Sequence, residues 1–363
     1  MMQQDARSPL AHLGGALGFG KYMTNAMVLC RYSDGTGWEK PSLVPYGTLA
    51  FDPCALVLHY GQAIYEGMKA YRSPDASIAL FRPDRNAARF RASARRMEMA
   101  EMPEGLFIEA VSTLVDAQRD WVPAGAESSL YLRPVMVADE AAFGVRRSTT
   151  YLFFIVATPV DALYRDGMAP FRLMVSEDFA RAAPGGGGDA KTSGNYGRTL
   201  IALEAARRSG FNNVLWLDPV EREFIEEAGI TNVFVRRGRD LLTPPLNGRI
   251  LPGVMRETIL QVARDWGLSA IEREISVTEL LSGIDAGDVD EVFLSGTAVH
   301  VAPVGVIARR GREHRLAAAG EAQSLAKRLS QAISEIQRGL VADTRGWMRR
   351  VAASSDCLVL SEP

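Results

Sequence analysis

The chain has 363 residues, with 41 Lys+Arg against 43 Asp+Glu and a formal net charge of -2. At roughly 100–200 residues per domain this length predicts two domains, and the balanced charge argues against a nucleic-acid partner. The cysteines Cys30, Cys54 and Cys357 and four histidines show no metal-ligand spacing, which argues against a disulfide scaffold and a metal site. No run of about 18 apolar residues and no signal peptide is found, so we expect a cytoplasmic protein without a membrane span.

The first part of the chain alternates strand and helix patterns. Strands are predicted at 26–32, 78–81, 129–137 and 151–158, and helices at about 83–100 and 107–121. On the first of these helices Phe90, Ala94 and Met97 recur at helical spacing, so they are predicted to face the core. The arginines around this stripe are expected to be solvated.

From about residue 161 to residue 188 the pattern loosens, and this stretch is the predicted domain boundary. We therefore expect an N-terminal α/β domain over 1–165 and a C-terminal domain over 166–363, an α/β (α+β) fold class. In the second, strands are predicted at 171–176, 214–217, 232–237 and 291–294, and helices at about 198–208, 254–266 and 321–340. The last helix is predicted to bury one face formed by Leu325, Leu329, Ile333, Ile336 and Leu340.

A glycine-rich segment at 185–197 contains Lys191 and allows three interpretations. The first is a flexible interdomain loop with a solvated lysine. The second is a nucleotide-binding P-loop, but Ala190 replaces the glycine beside the lysine and no apolar strand precedes the loop. The third is a Schiff-base lysine for pyridoxal phosphate, since small neighbours allow a flat cofactor to approach the amine.

Such a cofactor needs three further kinds of partner, and the sequence offers a candidate for each. Glu226 and Glu227 precede a strand, where a carboxylate can pair with a pyridine nitrogen. Residues 251–256 open a helix, whose free N–H groups can hold a phosphate. Residues 295–298 follow a strand and offer hydroxyls. Each piece is weak alone, because a Glu-Glu pair is usually a solvated face.

Taken together, several segments resemble the branched-chain amino acid aminotransferases, which are fold type IV pyridoxal-phosphate enzymes of aminotransferase class IV. The segments that carry the resemblance are 58–71 (LHYGQAIYEGMKAY), 129–134 (SLYLRP), 227–234 (EAGITNVF), 251–256 (LPGVMR) and 343–348 (DTRGWM). It covers about 19–350 and implies a small N-terminal domain, a larger C-terminal pseudo-barrel domain carrying the lysine, a cofactor between the two domains, and a homodimer.

The resemblance also implies roles for individual residues. Lys191 would form the Schiff base and shuttle the proton. The other cofactor-binding residues would be Arg89, Tyr196, Glu227, Val254, Met255 and Thr297. The substrate-binding residues would be Tyr60, Tyr65, Tyr131, Arg133, Leu163, Thr297 and Ala298. A tyrosine-lined pocket suits a branched side chain, and Arg133 can bind the distal carboxylate of glutamate or 2-oxoglutarate.

The sequence departs from the family pattern at two places. Leu163 stands where such enzymes usually carry a pocket tyrosine, and Ile230-Thr231 precedes the motif asparagine. The expected reaction is transamination of leucine, isoleucine or valine with 2-oxoglutarate, but these changes allow another apolar or non-standard amino acid. The sequence also permits a D-amino acid transaminase, an aminodeoxychorismate lyase, the P-loop protein, and an interaction protein without a cofactor.

Overall fold

The computed structural model describes residues 9–13, 16–164, 168–317, 319, 321 and 323–353. The domain boundary predicted at 165, and Cys357, lie outside these residues. By internal contacts the chain forms two compact units. The first comprises Met1–Leu163, Ala190–Ser193 and Ser334–Pro363, and the second Tyr164–Asp189 and Gly194–Ile333. Residues 190–193, which include Lys191 and were expected in the C-terminal domain, thus group with the first unit.

The secondary structure alternates strands and helices along both units. The strands are β1 (Ala26–Ser33), β2 (Gly37–Trp38), β3 (Ser42–Pro45), β4 (Ala63–Tyr65), β5 (Met68–Arg72), β6 (Ile78–Phe81), β7 (Ser128–Ala138), β8 (Thr150–Asp161), β9 (Phe171–Val175), β10 (Asn213–Leu217), β11 (Ile225–Ala228), β12 (Thr231–Arg237), β13 (Asp240–Thr243), β14 (Ser269–Glu272), β15 (Glu291–Gly296), β16 (His300–Arg309), β17 (Arg312–Arg315) and β18 (Met348–Arg350). The helices are α1 (Leu56–Tyr60), α2 (Pro83–Arg96), α3 (Glu104–Ala117), α4 (Gly194–Gly197), α5 (Leu200–Arg208), α6 (Val254–Asp265), α7 (Val277–Ala286) and α8 (Leu325–Gln337), with short 3₁₀ turns at Pro9–His12 and Arg119–Trp121.

The first unit is an antiparallel sheet with helices on one face. Its strand order is β18-β6-β5-β7-β8-β1-β2, with β3 paired to β1 and β4 to β7. Helices α2 and α3 pack on it through the rings of Phe90, Phe107 and Phe153, whose centroids lie 5.2–6.0 Å apart. Because side chains alternate along a strand, β7 buries Leu130 and Leu132 against this core. The intervening Tyr131 therefore lies on the opposite face.

The second unit contains a closed ring of strands. Its sheet runs β11-β10-β9-β16-β15-β12-β13-β14, and an additional pairing of β11 with β12 joins six of these strands into a ring. Strand β9 runs parallel to both of its neighbours, whereas the other contacts around the ring are antiparallel. Leu173, Val233, Leu294 and Val304 are buried in its apolar core. Together the two units confirm the predicted mixed α and β fold class.

The last long helix differs from its sequence prediction. Leu325, Leu329 and Ile333 are buried as expected. However, α8 ends at Gln337, so Leu340 lies beyond the helix with a 58% exposed surface, and its predicted place on the buried face is wrong. Gly339 has φ +64°, a left-handed conformation that cannot continue a helix. No helix in the described ranges is both long enough and apolar enough to cross a membrane.

Candidate active site

The backbone of the lysine segment is fixed on both sides in the first unit. Thr192 forms a bridge with Ile64. The amide of Lys191 donates to Ser93 Oγ at 2.9 Å, and the Lys191 carbonyl accepts from the Tyr65 amide at 3.0 Å. Since these contacts lie on either side of the Lys191 Cα, they set the direction in which its side chain leaves the backbone.

The amine end of that side chain lies over the ring of Tyr65, which in turn contacts Arg133, and Arg133 contacts Tyr131. Lys191 Nζ lies 4.9 Å from the ring centroid of Tyr65. The Arg133 guanidinium lies 4.5 Å from the same ring and 5.3 Å from that of Tyr131, and its Nη2 donates to the Tyr131 hydroxyl at 2.9 Å. Both cations are placed to interact with aromatic faces. The structure thus brings together Lys191, Tyr65, Tyr131 and Arg133.

Two further residues shape this cluster, and sequence analysis gave neither of them a role. The ring of Phe19 meets Tyr131 edge-on with centroids 4.8 Å apart. Gly67 lies under the Tyr131 hydroxyl, since a Cβ at this position would stand 2.2 Å from that oxygen. Gly67 lies within the motif at 58–71, so the sequence contains a signal for it. Its steric role could not be seen there, because Tyr131 is on β7, about 60 residues later in the chain.

Arg89 is held in a buried ion pair with Glu66. Its Nε lies 2.7 Å from Glu66 Oε1 and its Nη2 lies 2.8 Å from Oε2, while Asn86 Nδ2 donates to Oε2 at 2.7 Å. Burial raises the pKa of Glu66, but the charge and hydrogen bonds of Arg89 outweigh that effect, so the pKa lies below its ordinary value. This bidentate pair uses two of the five guanidinium N–H donors. Glu66 has no role among the sequence predictions, although it lies within the motif at 58–71.

The neighbouring arginines on α2 behave as the sequence predicted. Arg91 and Arg95 are exposed and pair with Glu101 at 3.2 and 2.8 Å. Tyr60 is also partly exposed, and its hydroxyl accepts from the Gly144 amide at 2.9 Å. Leu163, 47% exposed, ends the first of the three stretches that form the first unit. The described contacts do not join Tyr60 or Leu163 to the cluster around Lys191.

In the second unit, Glu227 is buried at the β11–β12 hairpin with only 2% of its surface exposed. Arg181 Nε lies 2.8 Å from its Oε2. Its Oε1 accepts from the Leu251 amide at 2.8 Å and from Asn232 Nδ2 at 3.4 Å. A buried carboxylate requires such partners, since desolvation disfavours its charge. Glu227 is therefore a buried carboxylate that is fixed by an ion pair and hydrogen bonds, and it is not part of a solvated face.

Glu226, the neighbour of Glu227, is buried as well and has its own cation. Arg249 Nε donates to Glu226 Oε1. Burial raises the pKa of Glu226, and Arg249 offsets this effect only in part. Since successive residues of a strand point to opposite faces, the two carboxylates of β11 lie on different faces, although the charge of Arg181 favours the ionised form of Glu226 as well.

The start of α6 offers uncapped amides next to Asn232. Gly253 is the N-cap residue and no side chain caps the helix, so the amides of Val254 and Met255 lack helical acceptors. A Cβ on Gly253 would stand 2.0 Å from Asn232 Oδ1, so this close approach requires glycine. The end of a helix with free N–H groups is favourable for an anion such as a phosphate.

A row of polar residues crosses the sheet beside this helix. Glu227 pairs with Asn232 and Asn232 pairs with Ser295 across β11, β12 and β15, so their side chains share one face. Ser295 Oγ is buried and has no hydrogen-bond partner among the described residues. Thr297 and Ala298 are half-buried in the turn that follows. Sequence analysis considered the hydroxyls of 295–298 but did not assign Ser295.

The glycine-rich segment is packed and does not form a P-loop. A Cβ on Gly188 would stand 2.4 Å from the Arg249 carbonyl oxygen. In the described residues no strand directly precedes the segment, and the helix at its C-terminal end, α4, has four residues. A P-loop joins a strand to a helix N-terminus, so this alternative lacks its structural context. Tyr196 lies in α4, half-buried, with its carbonyl accepting from Thr199 Oγ1 at 2.7 Å.

The fold and these residues agree with the result of family comparison. The profile of the class IV aminotransferases matches residues 63–307, and the chain belongs to this family. Enzymes of this class depend on pyridoxal phosphate, and solved relatives contain it or its amino form. The recognition of the family from sequence motifs is thereby confirmed.

Individual relatives are branched-chain aminotransferases. A probable branched-chain-amino-acid aminotransferase of Streptomyces coelicolor is 46% identical over 92% of both chains, and the branched-chain-amino-acid aminotransferase of Mycobacterium tuberculosis is 44% identical over 92% of both. The branched-chain amino acid aminotransferase of Escherichia coli superposes with a TM-score of 0.73 at 26% identity, covering 89% of this chain and 99% of that one.

The residues present fit pyridoxal phosphate. Its aldehyde requires an amine, which Lys191 carries. Its phosphate requires N–H donors, which the uncapped start of α6 supplies. These amides follow Gly253, where the close approach to Asn232 leaves no room for a Cβ. Its ring nitrogen requires a carboxylate, which Glu227 supplies, and Ser295 Oγ is a buried hydroxyl without a protein partner in the described chain. Among the described residues, no group of three His, Cys, Asp or Glu side chains is placed to hold a metal ion.

Proposed function

We propose that this protein transfers the amino group of a branched-chain or related apolar L-amino acid to 2-oxoglutarate, working as a cytoplasmic homodimer. The observation that carries the proposal is the cluster of Lys191, Tyr65, Tyr131 and Arg133 in the first unit. It joins an amine to an aromatic surface and a cation, and both substrates need these features. The 40–46% identity to branched-chain aminotransferases supports the same reaction.

Lys191 is the proposed acid–base group of the reaction. Pyridoxal phosphate, when bound, supplies a conjugated ring that accepts the electron pair left at the substrate Cα. The Lys191 amine in its neutral form removes the proton from Cα and delivers it to the C4′ atom of the cofactor. Its backbone contacts with Ser93 and Tyr65 hold the amine within one region during both steps.

The pocket must accept an apolar side chain and a carboxylate in alternate half-reactions. The rings of Tyr65, Tyr131 and Phe19 offer apolar surface for the first. Arg133 offers a cation for the carboxylate. Its Nε is buried, and its Nη2 donates to the Tyr131 hydroxyl. Since the guanidinium lies against two ring faces, its charge is partly balanced when the apolar substrate is present. The family resemblance also implies a substrate-binding role for Tyr60, Leu163, Thr297 and Ala298.

The remaining residues would hold the cofactor. Val254 and Met255 would donate amides to its phosphate, together with Thr297 and Arg89. Glu227 would pair with the ring nitrogen, and Tyr196 would donate to the phenolic oxygen. Arg89 also forms the buried bidentate pair with Glu66, which fixes the orientation of its guanidinium.

An amino-donor panel with 2-oxoglutarate tests the proposed substrate class. We expect leucine, isoleucine and valine to be fast donors, aspartate and D-alanine to be slow, and glutamate to form in every productive reaction. The Leu163→Tyr variant, which restores the usual family residue, is the matched control for the pocket. Slow turnover of all three branched-chain donors beside a fast different donor would replace the substrate class while leaving the transaminase in place.

Gly67→Ala tests the role of the Tyr131 hydroxyl. The added Cβ would stand 2.2 Å from this oxygen, so Tyr131 must move and its hydrogen bond with Arg133 is lost. We expect KM for 2-oxoglutarate to rise about tenfold or more, because this change corresponds to the free energy of about one charge-assisted hydrogen bond. KM for leucine should change less. Gly105→Ala on α3, where a Cβ meets nothing within 4 Å, is the control; equal changes in both KM values would contradict this role.

A further inference from the structure

We propose that Arg181 is a positioning residue that keeps the Glu227 carboxylate ionised and oriented for the ring nitrogen of the cofactor. This inference rests on the proposed function for its catalytic consequence, since Glu227 is the group assigned to that nitrogen. The arrangement of Arg181 and Glu227 lies entirely within the second unit.

The Arg181 guanidinium is held from more than one direction. Its Nε lies 2.8 Å from Glu227 Oε2. Its Nη2 donates to the carbonyl of Gly188 at 3.0 Å and to the carbonyl of Arg249. Only 6% of the residue is exposed. Since two backbone carbonyls accept from Nη2, the planar group is fixed beside Glu227, where Nε forms a close ion pair with Oε2 that lacks hydrogen-bond geometry.

The local backbone is built around this contact. Gly188 approaches the Arg249 carbonyl so closely that a Cβ would stand 2.4 Å from its oxygen. The same two carbonyls accept from Arg181. The glycine at 188 therefore allows two stretches of chain to meet at the Arg181 guanidinium. One of these stretches leads into Lys191, three residues later in the sequence.

Arg181 opposes the cost of burying the Glu227 charge. An almost fully buried carboxylate is driven towards its neutral form by desolvation, whereas an adjacent guanidinium favours the ionised form. The Leu251 amide and Asn232 contribute hydrogen bonds at Oε1, but neither carries charge. Without Arg181 we therefore expect burial to favour the neutral form of Glu227 more strongly. A neutral carboxyl group would no longer favour a protonated ring nitrogen, and the ring would be a weaker electron acceptor.

The neighbouring Glu226 and Arg249 provide a matched control. This second pair is also at β11 and is buried on the glutamate side. Glu226 lies on the other face of the strand, and the charge of Arg181 also reaches Glu226. Because the Arg249 side chain pairs with Glu226, we expect its removal to affect folding more than the protonation of Glu227. Comparison of the two pairs separates a positioning role of Arg181 from a general loss of a buried ion pair.

The test compares Arg181→Met and Arg181→Lys with Arg249→Met. In the full-length protein stripped of cofactor, infrared difference spectra against Glu227→Gln report the protonation of Glu227 directly. We expect an ionised carboxylate at pH 7 in wild type, Arg181→Lys and Arg249→Met, and a carboxylic acid band in Arg181→Met.

In the holoenzyme, kcat should fall about 10–100-fold in Arg181→Met with a smaller change in KM, a range typical for the loss of outer-shell partners. The pH midpoint of the visible cofactor band should shift, and Arg181→Lys should recover part of both.

An ionised Glu227 in Arg181→Met, or equal kcat losses in Arg181→Met and Arg249→Met, would overturn the inference. If Arg181→Met does not fold, Arg181→Lys is tested instead. Lysine keeps the charge but lacks the planar guanidinium, so an unchanged band midpoint together with an unchanged kcat would also contradict an orienting role. A wild-type protein that fails to transaminate would instead overturn the proposed function, whereas the infrared comparison would still decide the relation between Arg181 and Glu227.

Discussion

Lys191→Ala is expected to abolish transamination while leaving the fold intact. The amine is the only group proposed to move the proton between the substrate Cα and the cofactor, so kcat should fall by about 10⁴-fold, the upper range for loss of a general acid–base group. Alanine retains the backbone amide and carbonyl contacts of residue 191, and it loses the contact of Nζ with the Tyr65 ring and the charge that acts on Glu66. We expect the circular dichroism spectrum and the thermal unfolding midpoint of the cofactor-free protein to stay close to those of wild type.

Chemical trapping gives an independent measure of the same role. The chain has only five lysines, Lys21, Lys40, Lys69, Lys191 and Lys327. Lys69 is the rival site, since burial, with Arg338 nearby, lowers the pKa of its amine to about 8. After borohydride reduction of the yellow protein, peptide mapping should find the cofactor on Lys191, and Lys69→Met should label normally. Label on Lys69, or turnover retained in Lys191→Ala, would contradict the assignment.

The sequence was informative wherever a local pattern determines the structure. Phe90 and Ala94 repeat at the period of a helix, and both are buried on α2. The pattern could not show where α8 ends, because the left-handed Gly339 and the exposure of Leu340 depend on local backbone geometry. Helix ends are set by turns and caps, and a glycine inside an apolar period gives only a weak stop signal.

The candidate site shows the same limit more clearly. The motifs located Lys191 and Glu227, but they did not reveal the buried charges that accompany functional residues. Glu66 lies 23 residues before Arg89, and Arg181 lies 46 positions before Glu227 in the sequence. Pairing over such separations is created by the packing of whole strands and helices. A single sequence can therefore identify a reactive residue without identifying the partner that controls its charge.

Removal of the Glu66 carboxylate should destabilise the first unit strongly. Glu66 is fully buried and Arg89 nearly so, so Glu66→Ala leaves a desolvated guanidinium without its counter-charge. Breaking a buried ion pair in this way costs about 3–5 kcal/mol. Urea unfolding of the cofactor-free protein at fixed concentration measures this loss. Glu101→Ala is the control, since its partners Arg91 and Arg95 are exposed and we expect a much smaller effect.

The same pair predicts how the difference in stability depends on pH. The pKa of Glu66 is lowered in the folded protein, so the unfolded state binds its proton more tightly. Its stabilising contribution is therefore fully present above the unfolded pKa of about 4.3 and is lost as the pH falls through the lower folded pKa. We expect the free-energy difference between wild type and Glu66→Gln to be constant from pH 6 to pH 8. Below about pH 4 this free-energy difference should shrink, because Glu66 in wild type then becomes protonated and neutral, as the glutamine of the variant is at every pH. A difference that stays constant down to the acid transition would show that Glu66 does not stabilise the fold through its charge.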